Sequence, residues 1–420
     1  MAPNVENFQL ALLATRVFTP GSAINEKDLF AGRISQIRRI VDAVSQTGLH
    51  AVLYGEPGVG KTSLANVCAA FLKGMGPTEI LAPKVNCVTS DDFASIWRKV
   101  FGEIQITKKI SGAGFFPQDK ELVFSVLDDL PGQITPDIVM TTLDSLGRNF
   151  LVVVVIDEFD RIASDSVKRE VADTIKMMSD RQARATLLLV GVADSVVALI
   201  REHQSIERAL LQIHMPRMER DELEEIIKNG LERLTMTIEP RALKEIVSLA
   251  KGLPYFVHLL GLHVARRALD ADEKKVTQKH LQAAIKEALE GAQQTMRSAY
   301  HDATVSVRKE TIHQHVLLGC ALAKTDDFGY FTAGAVVEPL SIVRNKPYQL
   351  PYFAQHLKDF SGEKRGKILQ QVGGPHNRRY RFRNPMMQPF VIMKGLSDGL
   401  IDAPTLEKFG QIKISEPAAH

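Results

Sequence analysis

Cysteine is scarce. Cys68, Cys87 and Cys320 stand far apart in 420 residues, with no C-x-x-C pair among them. That spacing offers neither a disulfide framework nor a zinc-ligand set, and it predicts reduced thiols in a cytoplasmic protein. Long apolar runs are missing too. The longest purely aliphatic stretch, LVVVVI from Leu151 to Ile156, is too short to cross a bilayer, so no membrane insertion is expected. The opening residues MAPNVENFQL lack a basic segment followed by an apolar run, so no secretory leader is expected. No internal repeat, long low-complexity tract, or nuclease or protease motif stands out. GLSDG (Gly395 to Gly399) matches the hydrolase elbow G-x-S-x-G only formally, because it lacks the strand-to-helix setting. His258 and His263 fit no zinc spacing and read as core histidines.

What is present suits a globular chain of two or three domains. Hydrophobic residues make up 45% and charged residues 24%, enough for substantial cores. The net charge is only +3, yet it is unevenly spread. Between Ser341 and Lys394, eleven Lys and Arg face two acids, Asp359 and Glu363. The rest of the chain is therefore acidic, and a polyanion partner is expected for the C-terminal third alone.

Periodicity divides the chain further. Residues 1–24 show no clear pattern and read as an N-terminal arm. Residues 25–217 alternate short apolar strands with helices, predicting a doubly wound α/β domain with a parallel sheet. Within it, HAVLYG, PKVNCV, FLVVVVIDEFD, ATLLLVGV and LLQIHM read as strands, while 105–134 reads as irregular. Residues 218–304 are helical throughout and form a lid. Residues 305–396 read as three helices and a hairpin, a winged helix, followed by a tail over 397–420.

The strongest motif is GEPGVGKTS, comprising Gly55, Glu56, Pro57, Gly58, Val59, Gly60, Lys61, Thr62 and Ser63. It satisfies G-x-x-x-x-G-K-[ST] between a strand and a helix. Glycines let backbone N–H groups turn onto phosphate oxygens at a helix N-terminus. Lys61 is suited to the β- and γ-phosphates of ATP, and the Thr62 hydroxyl to Mg²⁺. VVVVIDEFD supplies the acids: Asp157 for Mg²⁺ through water, and Glu158 to orient or deprotonate the attacking water.

These motifs, followed by a further strand, a helical lid and a winged helix, resemble AAA+ ATPases over roughly residues 25 to 395. The likeness is closest to the initiator clade, which includes origin-recognition ATPases, and to ATPases that select targets for transposases. It implies an ATP-hydrolysing protein that oligomerises through its nucleotide sites and works with DNA and a transposase, replication or effector protein. By the same resemblance, DLFAGR, with Phe30 and Arg33, looks like the box that closes over adenine. Asp194 occupies the sensor-1 place, although an ionised Asp cannot donate a hydrogen bond. Arg208 resembles an arginine finger acting on a neighbour's γ-phosphate; the alternative is a surface salt bridge with Glu207. No sensor-2 arginine stands near Tyr255. Gly252 to Pro254 instead resembles the turn by which STAND ATPases contact the nucleotide base, assigning Pro254 and Tyr255 to that role; the alternative is a helix stop and restart. A STAND-like switch acting through a separate effector, as in phage defence, is thus the second implied function.

The last motif is RRYRFRN. Arg379, Arg381 and Arg383 share one strand face, with Tyr380 and Phe382 on the other. Arg378 and, at the hairpin entrance, Lys364, Arg365 and Lys367 extend the patch. Such a wing suits the phosphate backbone of duplex DNA, read with little sequence preference; RNA or another acidic partner, or a solvated strand face that binds nothing, are the alternatives. ITKKISGAGFF (Ile106 to Phe116) is a second candidate contact, set against a plain surface loop.

Overall fold

The computed structural model describes residues 5–21, 32–72, 79–110, 120–192, 204–305, 312–374 and 377–410. The chain divides into two bodies. One holds residues 33–55 and 61–215; the other holds 1–32, 56–60 and 216–420. The chain opens with helix α1 (Val5–Val17), which belongs to the latter.

The first body contains α2 (Ile34–Val44), β1 (His50–Gly55), α3 (Lys61–Leu72), β2 (Ile80–Leu81), β3 (Lys84–Asn86) and α4 (Phe93–Gly102). It continues with β4 (Gln105–Ile110), β5 (Lys120–Ser125), α5 (Pro136–Gly147), β6 (Leu151–Asp157), α6 (Asp165–Asp180), β7 (Ala185–Val192) and β8 (Leu210–His214). Six strands form one parallel sheet in the order β2-β6-β7-β1-β8, with β3 also on β6. The aliphatic run sets β6 inside the sheet: Val152 to Asp157 are all buried, as a parallel strand covered on both faces requires. Helix α4 starts on a capping box between Asp92 and Ser95 and buries Trp97 between the rings of Phe93 and Phe101, at 6.1 and 5.7 Å. The Thr135–Pro136 start of α5 stands where the sequence predicts it, with Pro at the first turn.

One expectation for this body is overturned. The stretch from 105 is not irregular: β4 and β5 pair antiparallel as a ribbon, Gln105 opposite Ser125 through Ile110 opposite Lys120. Its strands mix lysines, threonine and glutamate with isolated apolar residues, so no clean alternation marks them, and Val123 and Phe124 are exposed.

In the second body α7 (Arg220–Arg233), β9 (Thr237–Ile238), α8 (Pro240–Ala250), α9 (Pro254–Asp270), β10 (Lys275–Val276), α10 (Gln278–Glu290) and α11 (Gln294–Thr304) make the helical lid. Then come α12 (His313–Leu322), β11 (Phe331–Thr332), α13 (Val337–Val343), α14 (Ala354–Ser361), β12 (Leu369–Val372) and β13 (Arg379–Phe382). The three strands form a sheet in the order β11-β13-β12, completing the winged-helix region. Helix α15 (Met387–Ser397) buries Met387 through Met393 on all sides, and α16 (Ala403–Phe409) packs on α8.

Helix α1 corrects a second expectation, since residues 5–17 are helical and pack on α9. Its apolar residues face both ways: Ala14 and Val17 are buried while Val5, Phe8 and Leu12 are exposed, so the sequence shows no single stripe. The anchor is Phe18, whose ring lies against Gly230 and Gly261. A Cβ on either glycine would stand 2.4 and 2.6 Å from that ring, which only glycine avoids.

Two buried histidines make stability pH-dependent. His50 accepts a hydrogen bond from Leu187 N at 3.0 Å, and His258 packs against Phe18. Burial pulls each imidazole down to about 4 from the ordinary 6.5. The unfolded chain therefore binds protons more readily, so the stability is fully present above pH 6.5 and lost as pH falls through 6.5 towards 4. The loss approaches about 3 kcal/mol per histidine. The urea midpoint is expected to fall between pH 7 and 4.5, and His50→Asn, which keeps an acceptor but does not titrate, should flatten that fall. An unchanged pH slope in His50→Asn would contradict the assignment.

Candidate functional site

Strand β1 ends at Gly55 and helix α3 starts at Lys61, so residues 56–60 form a loop leading into a helix N-terminus. Gly58 and Gly60 have φ of 82° and 96°, a region that side chains disfavour. Lys61 is buried and its Nζ donates to the Gly55 carbonyl at 3.0 Å. Thr62 and Ser63 are half-buried in the first turn of α3. Within the second body the loop has neighbours. A Cβ on Gly60 would stand 3.9 Å from Pro254 Cγ, and one on Gly58 would stand 2.4 Å from Met386 Cε.

Pro254 thus borders the loop. It also begins α9 directly after α8 stops: Lys251 caps α8 with φ 49°, Gly252 has φ 81°, and Pro254 opens the next helix. The helix stop and restart is therefore present at this turn. Tyr255 is half-buried, and burial raises its phenol.

The acids lie at the end of β6. Asp157 is 2% exposed, and its Oδ1 accepts from Glu158 N at 2.8 Å. Its Oδ2 is buried and lacks a hydrogen-bond donor, although Lys84 Nζ lies 3.1 Å away. That ammonium is off hydrogen-bonding geometry, and the contact is electrostatic. Glu158 takes φ 55°, rare for a residue with a side chain, and its half-exposed carboxylate accepts from Arg161 at 2.9 Å. Asp160, which sequence reasoning passed over, accepts from Val192 N at the end of β7 at 2.8 Å.

Sequence reasoning also missed Arg217. It forms a two-bond pair with Glu56, Nε to Oε2 at 2.7 Å and Nη2 to Oε1 at 3.2 Å, with side chains only 10% and 3% exposed. Its Nη1 donates to Gln388 Oε1 on α15 at 2.5 Å and to the Lys251 carbonyl at 3.2 Å. Lys251 in turn donates from Nζ to the Phe409 carbonyl at 2.8 Å. Burial, then Arg217, pulls that amine down to about 7. No motif flags Arg217; only the acid at the second position of the loop hints that a cation must come to it.

The remaining candidates divide. Arg33 is buried and opens α2 with φ 61°. Arg208 is exposed in the short turn Gln204–Ala209 before β8, and among the described residues it forms no ion pair with Glu207. Phe30 and Asp194 lie outside the described residues.

On β13, Tyr380 and Phe382 are buried and the arginines alternate with them, as expected. The patch is not without counter-charge, however. Arg379 pairs with Asp326 at 3.0 Å, and Arg381 donates to Gln370 at 2.9 Å; both guanidinium groups lie over the Tyr330 ring, at 5.2 and 4.5 Å. Arg383 donates to the Lys367 carbonyl, Arg365 to His313 and the Val305 carbonyl, while Lys364 pairs with Asp359 and Lys367 with Glu363. Asp326 lies outside the segment whose charges the sequence compares, so it escaped that comparison. Arg378 is exposed, with no side-chain partner among the described residues. The second candidate contact sits on the ribbon, where Lys108 and Lys109 stand opposite Leu122 and Glu121.

A family profile, Novel STAND NTPase 1, matches residues 22–327. The chain belongs to that family. Its parallel sheet with flanking helices and a C-terminal helix-and-strand region is a fold it shares with a solved nucleotide-bound protein. The ORC2 protein of Aeropyrum pernix, solved in ADPNP–ADP complexes, is 17% identical with a TM-score of 0.50, covering 94% of this chain and 97% of that one. A Walker-type ATPase of Pyrococcus abyssi is 15% identical with a TM-score of 0.48, covering 89% and 99%. No curated protein matches the sequence. Among the described residues no helix is long and apolar enough to cross a membrane.

Proposed function

We propose that this STAND NTPase binds ATP with Mg²⁺ on the 55–63 loop and hydrolyses it, and that the nucleotide state controls self-association and the grip of the C-terminal winged helix on duplex DNA. The carrying observation is the Asp157 carboxylate: buried, with Oδ2 lacking a hydrogen-bond donor, at the end of an interior strand of a P-loop sheet. That is a fit for a divalent cation. Among the described residues no three His, Cys, Asp or Glu side chains converge to hold a metal by themselves. Thr62 and Asp157 would hold Mg²⁺ together with phosphates and water. When bound, Mg²⁺ supplies positive charge to the phosphates.

The chain's own residues do the rest. Lys61 leaves the Gly55 carbonyl to hold the β- and γ-phosphates, and the glycine loop contributes backbone N–H groups. Glu158 orients the attacking water and takes its proton. The exposed Arg208 reaches a second copy's site. Pro254 and Tyr255 border the nucleotide. The contact from Glu56 through Arg217 to Gln388 gives the loop's state a route to the C-terminal helices.

A second reading, a switch signalling through a separate effector protein, is favoured by the internal partners of Arg379 and Arg381. One experiment separates the two: duplex binding measured by anisotropy, with ATP analogue and ADP, across a salt series. The first reading expects binding that weakens steeply with salt and falls at least tenfold in Arg379→Glu/Arg381→Glu. Equal or absent binding in both proteins would leave the effector reading. Lys61→Ala should abolish ATP binding in either case, and full retention would overturn both.

A further inference from the structure

We propose that Lys84 is a built-in counter-ion of Asp157 that competes with the divalent cation, so that loading the metal breaks a bridge between β3, β6 and the P-loop helix. The inference rests on the reading of Asp157 and Thr62 as the cation-holding residues.

The geometry begins with pairing. Strand β3 lies on β6 with Lys84 opposite Val155 and Asn86 opposite Asp157. Side chains two apart share a strand face, so Lys84 sits one step back from the position facing Asp157. From there its Nζ reaches to 3.1 Å from Asp157 Oδ2. The same ammonium donates to Asn66 Oδ1 on α3. Asn66 follows Thr62 by four residues, which places both on one face of the helix. Lys84 therefore bridges the acid and the helix face that carries the hydroxyl, the two groups assigned to the cation.

The energetics give this a direction. A carboxylate 2% exposed with one oxygen lacking a hydrogen-bond donor needs compensating charge, and Lys84 supplies it. A divalent cation approaching the same oxygen meets an ammonium of like sign, a repulsion that water screens only in part at short range. The Lys84 side chain is 25% exposed, so it has a way out toward solvent. Lys84 thus steadies the site without metal and weakens metal binding, two effects of opposite sign from one charge. A residue serving structure alone would produce only the first.

The test uses the full-length protein with Mn²⁺ as the probe, titrated by electron paramagnetic resonance in the presence of a non-hydrolysable ATP analogue. Lys84→Met and Lys84→Gln remove the charge; Lys84→Arg keeps it. The neutral variants should lower the Mn²⁺ half-saturation about tenfold, while melting several degrees lower without nucleotide. Lys84→Arg should stay within about twofold of the parent. Unchanged or weaker Mn²⁺ binding in the folded neutral variants overturns the inference. Failure of the parent to bind the analogue at all overturns the ATPase reading beneath it, a distinguishable result.

Discussion

Glu158→Gln should lower ATP turnover by about a hundredfold or more while leaving ATP affinity within about threefold. The magnitude is that of losing a positioned general base, an effect on the transition state and not on ground-state binding. Glu158 suits this role because its neighbour Asp157 points inward, buried, while Glu158 leaves the sheet in a left-handed turn with its carboxylate half-exposed. Such backbone strain persists only where its surroundings impose it, and it clusters where side chains must be aimed. Arg161 holds the carboxylate at 2.9 Å in this state. Single-turnover hydrolysis and fluorescent-nucleotide binding, measured on one preparation, separate the two quantities. Turnover within threefold of the parent would remove Glu158 from the mechanism; a parallel loss of affinity would reassign it to binding.

The sequence reveals those elements whose side chains act alone. The run from Val152 to Ile156 needs no partner to be recognised as an interior strand, and the glycine loop carries its meaning in backbone freedom at Gly58 and Gly60. Pro254 and the alternation of β13 were legible for the same reason. Features that depend on long-range pairing were not. Arg217 and Glu56 are 161 positions apart, and Arg379 meets Asp326 from 53 positions away. Comparing charges within one window cannot reveal that the wing brings its own counter-charge. Lys84 escaped likewise, since a single lysine on a short strand becomes meaningful only when β3 lies against β6. The ribbon and α1 failed differently, through apolar residues left exposed, which blur the periodicity that identifies strands and helices.

Arg217→Ala should destabilise the protein by about 3–5 kcal/mol, because it removes the two-bond cationic partner of a Glu56 carboxylate whose side chain is 3% exposed. For a body of this size that corresponds to a fall of about 10 °C in Tm. Glu56→Ala should also destabilise, by stranding the guanidinium. Arg217 keeps Gln388 and the Lys251 carbonyl as partners, so that loss should be smaller. The double variant should then melt above the sum of the two losses, since neither charge is left unpaired once both are gone. The cycle separates a true pair from two unrelated packing defects, for which the losses would add. A second readout bears on function. Glu56 lies in the phosphate loop, and its carboxylate is fixed by a residue that also holds α15 and the α8 cap. Freeing that carboxylate should therefore change nucleotide affinity in Arg217→Ala even though Arg217 belongs to no nucleotide motif. Additive thermal losses with unchanged ADP and ATP affinities would mean that the buried pair serves packing alone and carries no signal between the loop and the C-terminal helices.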